Sequence, residues 1–169
     1  MRIATGSLAL LAVATLAACS STPPASTSAT PAATSTAQQA TAVLASASGS
    51  RVSGKLTLAP MGDCVHLSGE VGGLAPNGQF GFHVHEKGDC SAVDATSAGS
   101  HFNPAASAHG RASTAVHHAG DMDNIASDGS GVAKVNVHLR GVTLGGGAAN
   151  DIANRAVIVH AAPDDYHTQ

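Results

Sequence analysis

The sequence has few aromatic and few charged side chains. Its 169 residues include no tryptophan, one tyrosine and three phenylalanines, and 11% of them are charged. Of the eight lysines and arginines, Arg2 lies before an N-terminal apolar segment. The other seven are outnumbered by eleven aspartates and glutamates and form no basic cluster in the sequence. Nucleic-acid binding relies on a positive surface and on aromatic rings that stack with bases. The composition therefore argues against a nucleic-acid partner.

The N-terminus has the pattern of an export signal. Met1 and Arg2 precede a largely apolar stretch over residues 8–16, and small residues follow it up to Cys19. This is the order of a secretory signal, and the apolar run is too short for a membrane span. We expect residues 1–18 to be removed on export.

Cys19 is the expected site of lipidation. Residues 16–19, Leu-Ala-Ala-Cys, resemble the lipobox of bacterial lipoproteins, in which the cysteine is lipidated and becomes the new N-terminus. The alternative is an ordinary secretory signal cleaved near Ala18, with an incidental cysteine. Ser20 in place of an aspartate favours the outer membrane by the same resemblance. The sequence thus predicts a protein anchored by lipid on the periplasmic side of the cell envelope.

A tether is expected to separate this anchor from a single domain. Residues 20–50 consist almost wholly of Ser, Thr, Ala, Pro and Gln and carry no charge. Such a segment cannot bury enough apolar surface to offset the entropy lost on ordering. We therefore predict a disordered linker over residues 19–50. The remaining residues 51–169 are enough for one small domain with one core.

Alternation of apolar and polar residues predicts strands in this domain. The runs with period two are residues 52–58, 65–71, 80–85, 132–139 and 156–160. No ten-residue amphipathic helix and no internal repeat stands out, so an all-β sandwich or barrel is expected. Between residues 86 and 130 the pattern gives way to Gly, Ser, Ala, Asp and His. A loop of this length usually has a function or is held in place by an additional interaction, and a bound metal ion would provide one.

Seven potential metal ligands are spaced as in a paired metal site. They are His83, His85, His101, His109, His118, Asp121 and His160. Imidazole suits copper and zinc, whereas a single carboxylate among six nitrogen donors argues against calcium or magnesium. His83 and His85 are separated by one residue on a predicted strand, so both side chains leave the same face. Taken alone, this pair is more often two surface histidines, and the rest of the pattern carries the prediction.

The long loop contains the ligands of a closed tetrahedral zinc shell. Its donors are His101, His109, His118 and Asp121. His117 could replace His118 on spacing alone, but the three-residue step to Asp121 favours His118. The alternative is a solvated histidine-rich loop that binds metals loosely.

Four segments resemble copper/zinc superoxide dismutases of the bacterial exported type. They are residues 81–90 (GFHVHEKGDC), 97–104 (SAGSHFNP), 118–121 (HAGD) and 155–165 (RAVIVHAAPDD). The resemblance covers about Val52 to Gln169. It implies a Greek-key β-sandwich, or flattened barrel, with long metal-binding loops, and superoxide as the substrate.

The resemblance also implies two ligand sets that share one histidine. Copper would be bound by His83, His85, His101 and His160, and zinc by His101, His109, His118 and Asp121. A bridging imidazole must be an imidazolate, which two cations stabilise. In the family's mechanism one superoxide reduces Cu(II) and leaves as dioxygen, while the bridge opens on the copper side and takes a proton. A second superoxide reoxidises copper and leaves as hydrogen peroxide, so His101 is the expected catalytic residue and zinc orders the loop.

Asp164 matches the family's carboxylate that orients ligands of both ions. It would accept hydrogen bonds from His83 and His109 and so fix their tautomers. Asp165 is the nearest alternative. His66, His138 and His167 lie outside the ligand pattern and are expected to be partly exposed and non-catalytic.

The sequence also departs from the family pattern. The family continues past the position of Gln169 with an active-site arginine, a cysteine that pairs with the equivalent of Cys90, and a last strand. Arg111 cannot simply take the role of that arginine, whose loss would slow capture of an anion. Cys64 is then the internal candidate to pair with Cys90, if their Cα atoms lie within about 7 Å. A partial sequence is one explanation.

Three functional hypotheses follow from the sequence. The first is an envelope superoxide dismutase that uses copper and zinc. The second is a copper- and zinc-binding envelope protein with little or no turnover, and the third is a purely structural sandwich protein that binds no metal tightly. The sequence predicts no oligomeric state.

Overall fold

Short antiparallel strands and long connecting loops make up the computed structural model, which describes residues 33–168. The predicted signal peptide, Cys19 and the first part of the predicted linker lie outside the described residues. The one helical element within this range is a 3₁₀ turn at Thr96–Ala98. The strands are β1 Ala40–Leu44, β2 Ser53–Met61, β3 Cys64–Gly72, β4 Gln79–Phe80, β5 Phe82–His85, β6 Ile125–Ala126, β7 Ala133–Arg140 and β8 Ala156–Val159. No helix in the described range is long and apolar enough to cross a membrane.

The strands form one large sheet and two small ones. The large sheet has the order β1-β2-β3-β7, β4 pairs with β6, and β5 pairs with β8, all antiparallel. Strands β2 and β3 form a hairpin whose turn contains Gly62, a residue with φ of 60°. A positive φ costs glycine little because it has no Cβ. The all-β prediction is therefore confirmed.

Side chains of the large sheet and of β5 point into one core. Leu56 and Leu67 of the large sheet and Phe82 of β5 are fully buried. Burying a side chain of this size stabilises the fold by about 1.5–3 kcal/mol before entropy is counted. The core thus lies between the large sheet and strands β5 and β8, which position metal-site histidines.

The predicted linker is wrong over residues 40–44, which form β1. Ala40, Ala42 and Leu44 pack against the core, while Thr41 and Val43 point away from it. Small apolar residues at every second position can cover a core that other strands have built, and the edge of β2 supplies backbone partners. The folded part of the described chain therefore includes residues that precede position 51.

The other strand predictions differ from the structure at their ends and at one interruption. The run 80–85 is divided into β4 and β5 at Gly81, whose N–H donates to Ala162 and whose carbonyl accepts from His160. Strand β6 lies within the segment predicted to be a loop. Cys64 is buried and Cys90 is exposed, and both are free thiols.

The long loop after β5 returns to lie against that strand. Val84 donates to Gly120, Gly120 donates to Phe102, and Phe102 donates to Val84 through backbone groups. A Cβ at Gly120 would lie 2.2 Å from the carbonyl oxygen of Val84, so only glycine permits this approach. These contacts bring the histidines of the loop next to those of β5.

Candidate metal centre

Strand β5 presents two buried histidines to the loop. His83 is 2% exposed and His85 is 8% exposed, and their positions two residues apart place both on one face. Backbone bridges join His83 to Asp121 and His85 to His101. His160 follows β8, the strand paired with β5. Sheet pairing and loop return therefore supply the ligands from three separate segments.

The first cluster, called here the four-histidine group, consists of His83, His85, His101 and His160. One nitrogen of each lies within 4.8 Å of the others. The hydrogen bond from His85 Nδ1 to the Gly99 carbonyl, 2.7 Å long, leaves its Nε2 facing His160 Nε2 at 3.3 Å. His83 uses Nε2 toward Asp164, and its Nδ1 is buried without a hydrogen-bond partner.

The second cluster, called here the aspartate group, consists of His101, His109, His118 and Asp121, whose ligand atoms also lie within 4.8 Å of one another. Asp121 is fully buried and lies 3.0 Å from His101 Nδ1 and 2.9 Å from His109 Nδ1. Its carboxylate accepts N–H bonds from Gly110 and from His118. His118 Nδ1 is buried without a hydrogen-bond partner.

These two groups fit metal ions. A buried imidazole nitrogen without a hydrogen bond is costly. Nδ1 of His83 is of this kind, and Nδ1 of His118 has only a contact of 3.3 Å to Asp121 Oδ1; both lie in a cluster of other donors. A cation placed in each group would satisfy both. Because His101 turns Nδ1 toward Asp121, its Nε2 remains for the four-histidine group. The donor types, nitrogen with one carboxylate, suit copper and zinc.

Burial favours the neutral form of His83 and His160. It lowers the pKa of His83 to about 4, with repulsion from His101 adding to the effect and the Asp164 hydrogen bond opposing it. Burial likewise lowers the pKa of His160 to about 4, with His85 and His101 contributing. A neutral imidazole offers the lone pair that a metal requires. Both side chains therefore offer a lone pair to a cation at neutral pH.

The carboxylate of the second group is held ionised. Burial alone would raise the pKa of Asp121, but hydrogen bonds from His101 and from the backbone of His118 and Gly110 outweigh it and lower the pKa. Burial opposes protonation of His109, but Asp164 and Asp121 outweigh this effect and raise its pKa. The aspartate group thus offers a negative charge to an ion.

Asp164 connects the two groups. It accepts from His83 Nε2 at 2.8 Å and from His109 Nε2 at 2.9 Å, the two partners that the family resemblance implies. Asp165 does not contact the histidines of either group; it accepts from His167 and Thr168 instead.

Asn124 holds Asp164 and is a residue that sequence reasoning missed. Its amide donates to the Asp164 carbonyl at 3.0 Å, and its Oδ1 accepts from the Asp164 N–H at 2.9 Å. Its own N–H donates to the hydroxyl of Tyr166. The contact joins residues 40 positions apart, so no local spacing signals it.

The four-histidine group opens to a small cavity of about 290 Å³. His83, His101 and His160 lie on one side of it, and the segment from Ala162 to Asp165 lies on another. A diatomic molecule fits such a space. Arg111 does not line this cavity; it stacks on Tyr166 at 4.1 Å and lies 4.0 Å from Asp123.

The remaining histidines lie elsewhere. His117 belongs to neither group, and its Nδ1 donates to the carbonyl of His118. His66 and His138 stack on each other on the large sheet, and His167 is exposed. The choice of His118 over His117 therefore agrees with the cluster that the structure forms.

Comparisons with known proteins assign the family. Residues 52–169 match the family model for copper/zinc superoxide dismutase. The copper/zinc superoxide dismutase 2 of Aquifex aeolicus (strain VF5) is 38% identical over 118 residues, which cover 68% of this chain and 69% of that protein. Superoxide dismutase 1 of the same organism is 37% identical, over 74% of this chain and 75% of that protein.

A viral relative and a solved structure agree. The copper/zinc superoxide dismutase of Paramecium bursaria Chlorella virus 1 is 43% identical over 101 residues, 60% of this chain and 52% of that protein. The crystal structure of the clock protein EA4 superposes with a TM-score of 0.68 at 36% identity, covering 76% of this chain and 78% of that one. The chain therefore belongs to the copper/zinc superoxide dismutase family, whose activity is the dismutation of superoxide and whose cofactors are copper and zinc.

Proposed function

We propose that this chain dismutates superoxide at a copper ion held next to a zinc ion, on the periplasmic side of the cell envelope. Copper would be held by His83, His85, His101 and His160, and zinc by His101, His109, His118 and Asp121. The observation that carries the proposal is the sharing of His101 between two largely buried donor groups, each of which contains an imidazole Nδ1 that is buried without a hydrogen bond.

Copper, when bound, supplies the one-electron redox chemistry by which one superoxide is oxidised to dioxygen and another is reduced to hydrogen peroxide. The second product needs two protons, and His101 Nε2 is the atom of the chain placed to hold one of them. Its other nitrogen, Nδ1, faces Asp121 and the zinc donors. His101 would thus be the catalytic residue, since it belongs to both donor groups.

Asp164 keeps the donors aligned. Its two oxygens accept from one imidazole of each group, which leaves Nδ1 of His83 and Nδ1 of His109 as the nitrogens free for metal. His85 is oriented in the same way by the Gly99 carbonyl. The chain's own hydrogen bonds therefore set the orientation of these three rings.

The location at the envelope rests on the N-terminal sequence. Residues 16–19, Leu-Ala-Ala-Cys, support lipidation of Cys19, and the uncharged Ser/Thr/Ala/Pro residues that follow support a tether up to the folded unit. Replacing Cys19 with alanine tests this part. We expect the wild type to fractionate with membranes and to incorporate a lipid label. The Cys19→Ala variant should be released from membranes and remain unlabelled.

The activity is tested on the full chain loaded with copper and zinc. Superoxide consumption per bound copper is measured for the wild type, for His101→Ala and for a control, His167→Ala, which removes an exposed histidine. We expect loss of consumption in His101→Ala and no change in the control. Bound copper and zinc without superoxide consumption by the wild type would instead support a metal-binding protein without turnover.

A further inference from the structure

Two histidines outside the metal centre face each other on the large sheet. His66 of β3 and His138 of β7 occupy directly opposite positions in the antiparallel register. Their neighbours in the strands, Val65, Leu67 and Leu139, point into the core, so the histidines lie on the outer face. Directly opposite residues in antiparallel strands have Cβ atoms about 4.5–5.5 Å apart. This spacing lets two imidazoles reach one small ligand.

The two rings are already in contact. Their centroids are 4.6 Å apart and their planes are inclined by 20°. Asn136, on the same face of β7, places its Oδ1 2.7 Å from His66 Nε2 and so holds the His66 ring above that strand. Rotation about the Cβ–Cγ bond is soft for histidine, so a nitrogen of each ring can turn toward a shared point.

The surroundings leave this pair available. Ala59, the residue of β2 opposite His66, is small and does not cover the ring. Arg140 lies two residues beyond His138, and its charge is balanced by Asp63 at 3.3 Å. Among residues 33–168, neither His66 nor His138 has a carboxylate partner, and neither belongs to the two metal groups.

We infer that His66 and His138 form a second, surface site for one divalent transition-metal ion. Two neutral imidazoles with open positions for water suit the later first-row metals, and among these copper(II) is bound most tightly by nitrogen donors. Because the site is on the solvent side of the large sheet, it exchanges its ion with solution. The inference does not depend on the proposed function, since it requires no turnover.

The site is tested by titrating the full chain, already loaded with one copper and one zinc ion, with copper(II) chloride. Bound metal per chain is measured by equilibrium dialysis and elemental analysis. We expect a third, exchangeable ion in the wild type. His66→Ala and His138→Ala should each weaken its binding by about tenfold or more, and the double variant should be no weaker than either single one.

Controls separate this pair from general binding by surface histidines. His167→Ala removes another exposed histidine and should keep the third ion at full affinity. All variants should retain the first copper and zinc ions, which also shows that they fold. In proton spectra of the wild type, substoichiometric copper(II) should broaden the ring signals of His66 and His138 together. Absence of a third ion, or its retention in either alanine variant at wild-type affinity, overturns the inference.

Discussion

Single residues outside the ligand sets decide how well the ligands are held. Asn124 binds the backbone of Asp164 with both ends of its side-chain amide, and Asp164 in turn orients His83 and His109. The Asn124 amide therefore influences the two metal groups indirectly, through Asp164. Its effect should appear in metal affinity as well as in stability.

Replacing Asn124 with alanine removes both hydrogen bonds to Asp164. We expect the metal-free protein to lose about 1–2 kcal/mol of unfolding free energy. We also expect zinc and copper affinities to fall by about 10- to 100-fold, because partners that orient ligands typically have effects of this size. Competition with a chelator measures the affinities and urea unfolding measures the stability.

Asn150→Ala is the matched control for this change. Asn150 donates one bond to the carbonyl of Gly141, on an exposed loop remote in sequence from the ligands. Its replacement should leave both metal affinities unchanged. Equal affinities in the Asn124 variant and the wild type would show that Asp164 keeps its position without the amide.

Asp151 stabilises a turn through charge rather than through packing. This buried carboxylate accepts backbone N–H groups from Gly145, Gly147 and Ala153, each at 2.8 Å. Burial raises its pKa, but these three donors outweigh burial and hold the pKa below its ordinary value. An amide at this position presents one oxygen in place of two and carries no charge.

Asp151→Asn should therefore lower the unfolding free energy by about 2–3 kcal/mol at pH 7. Because the folded pKa of Asp151 lies below the unfolded value of about 3.9, its stabilisation is complete above that value. It is lost as the pH falls through the folded pKa. The difference between variant and wild type should thus be constant from pH 7 to 5 and narrow below pH 4 in urea titrations.

Asp63→Asn provides the comparison for Asp151. Asp63 pairs with Arg140, but the side chain of Asp63 is 79% exposed. An exposed ion pair contributes about 0–1 kcal/mol, so this substitution should change stability little at any pH. A similar loss in both variants would indicate a general effect of net charge.

At the scale of elements, the metal-site loop depends on its close approach to β5. Gly120 directly precedes Asp121. Its backbone carbonyl accepts from Val84 and its N–H donates to Phe102. A Cβ there would meet the Val84 oxygen at 2.2 Å and the Phe102 Cβ at 3.0 Å. The loop must then move away from the strand that carries His83 and His85.

Gly120→Ala should for this reason lower stability by about 2–3 kcal/mol and weaken zinc binding, because Asp121 moves with the loop. Gly72→Ala is the control, since a Cβ at Gly72 meets no atom within 4 Å. Thermal unfolding and zinc competition measure the two effects. Unchanged zinc affinity in the Gly120 variant would mean that the loop can shift without displacing its ligands.

Sequence patterns identified elements where a residue's role is local. Alternation found β2, β3, β7 and β8, ligand spacing indicated the aspartate group, and the family resemblance implied the four-histidine group. Roles set by distant partners were missed. Strand β1 forms from small residues because β2 offers an edge, and the two residues of β6 form a strand only against β4. Asn124 is recognisable only once Asp164 lies beside it.

At the scale of the whole molecule, sheet pairing orders the strands, whereas the metal centre orders the loop that contains its ligands. Backbone ladders hold β2, β3 and β7, whereas residues 103–119 have no strand pairing and contain two ligands of the aspartate group, His109 and His118. Without an ion, Nδ1 of His83 remains buried without a hydrogen-bond partner, and Nδ1 of His118 has only a contact of 3.3 Å to Asp121 Oδ1. Metal binding should therefore be coupled to ordering of this loop more than to formation of the sheet.

Removal of both metals should raise amide hydrogen exchange by roughly tenfold or more in residues 104–117 and leave β2, β3 and β7 protected. Phe102 and Gly120 should show an intermediate increase, because their N–H groups bond to β5 and to each other. Zinc alone should restore most of the loop's protection, since the aspartate group draws four ligands from residues 101–121, whereas copper shares only His101 with that segment. Exchange in residues 104–117 that is the same with and without metal would show that the backbone contacts to β5 are sufficient to order the loop. In that case the centre would be formed before its ions bind.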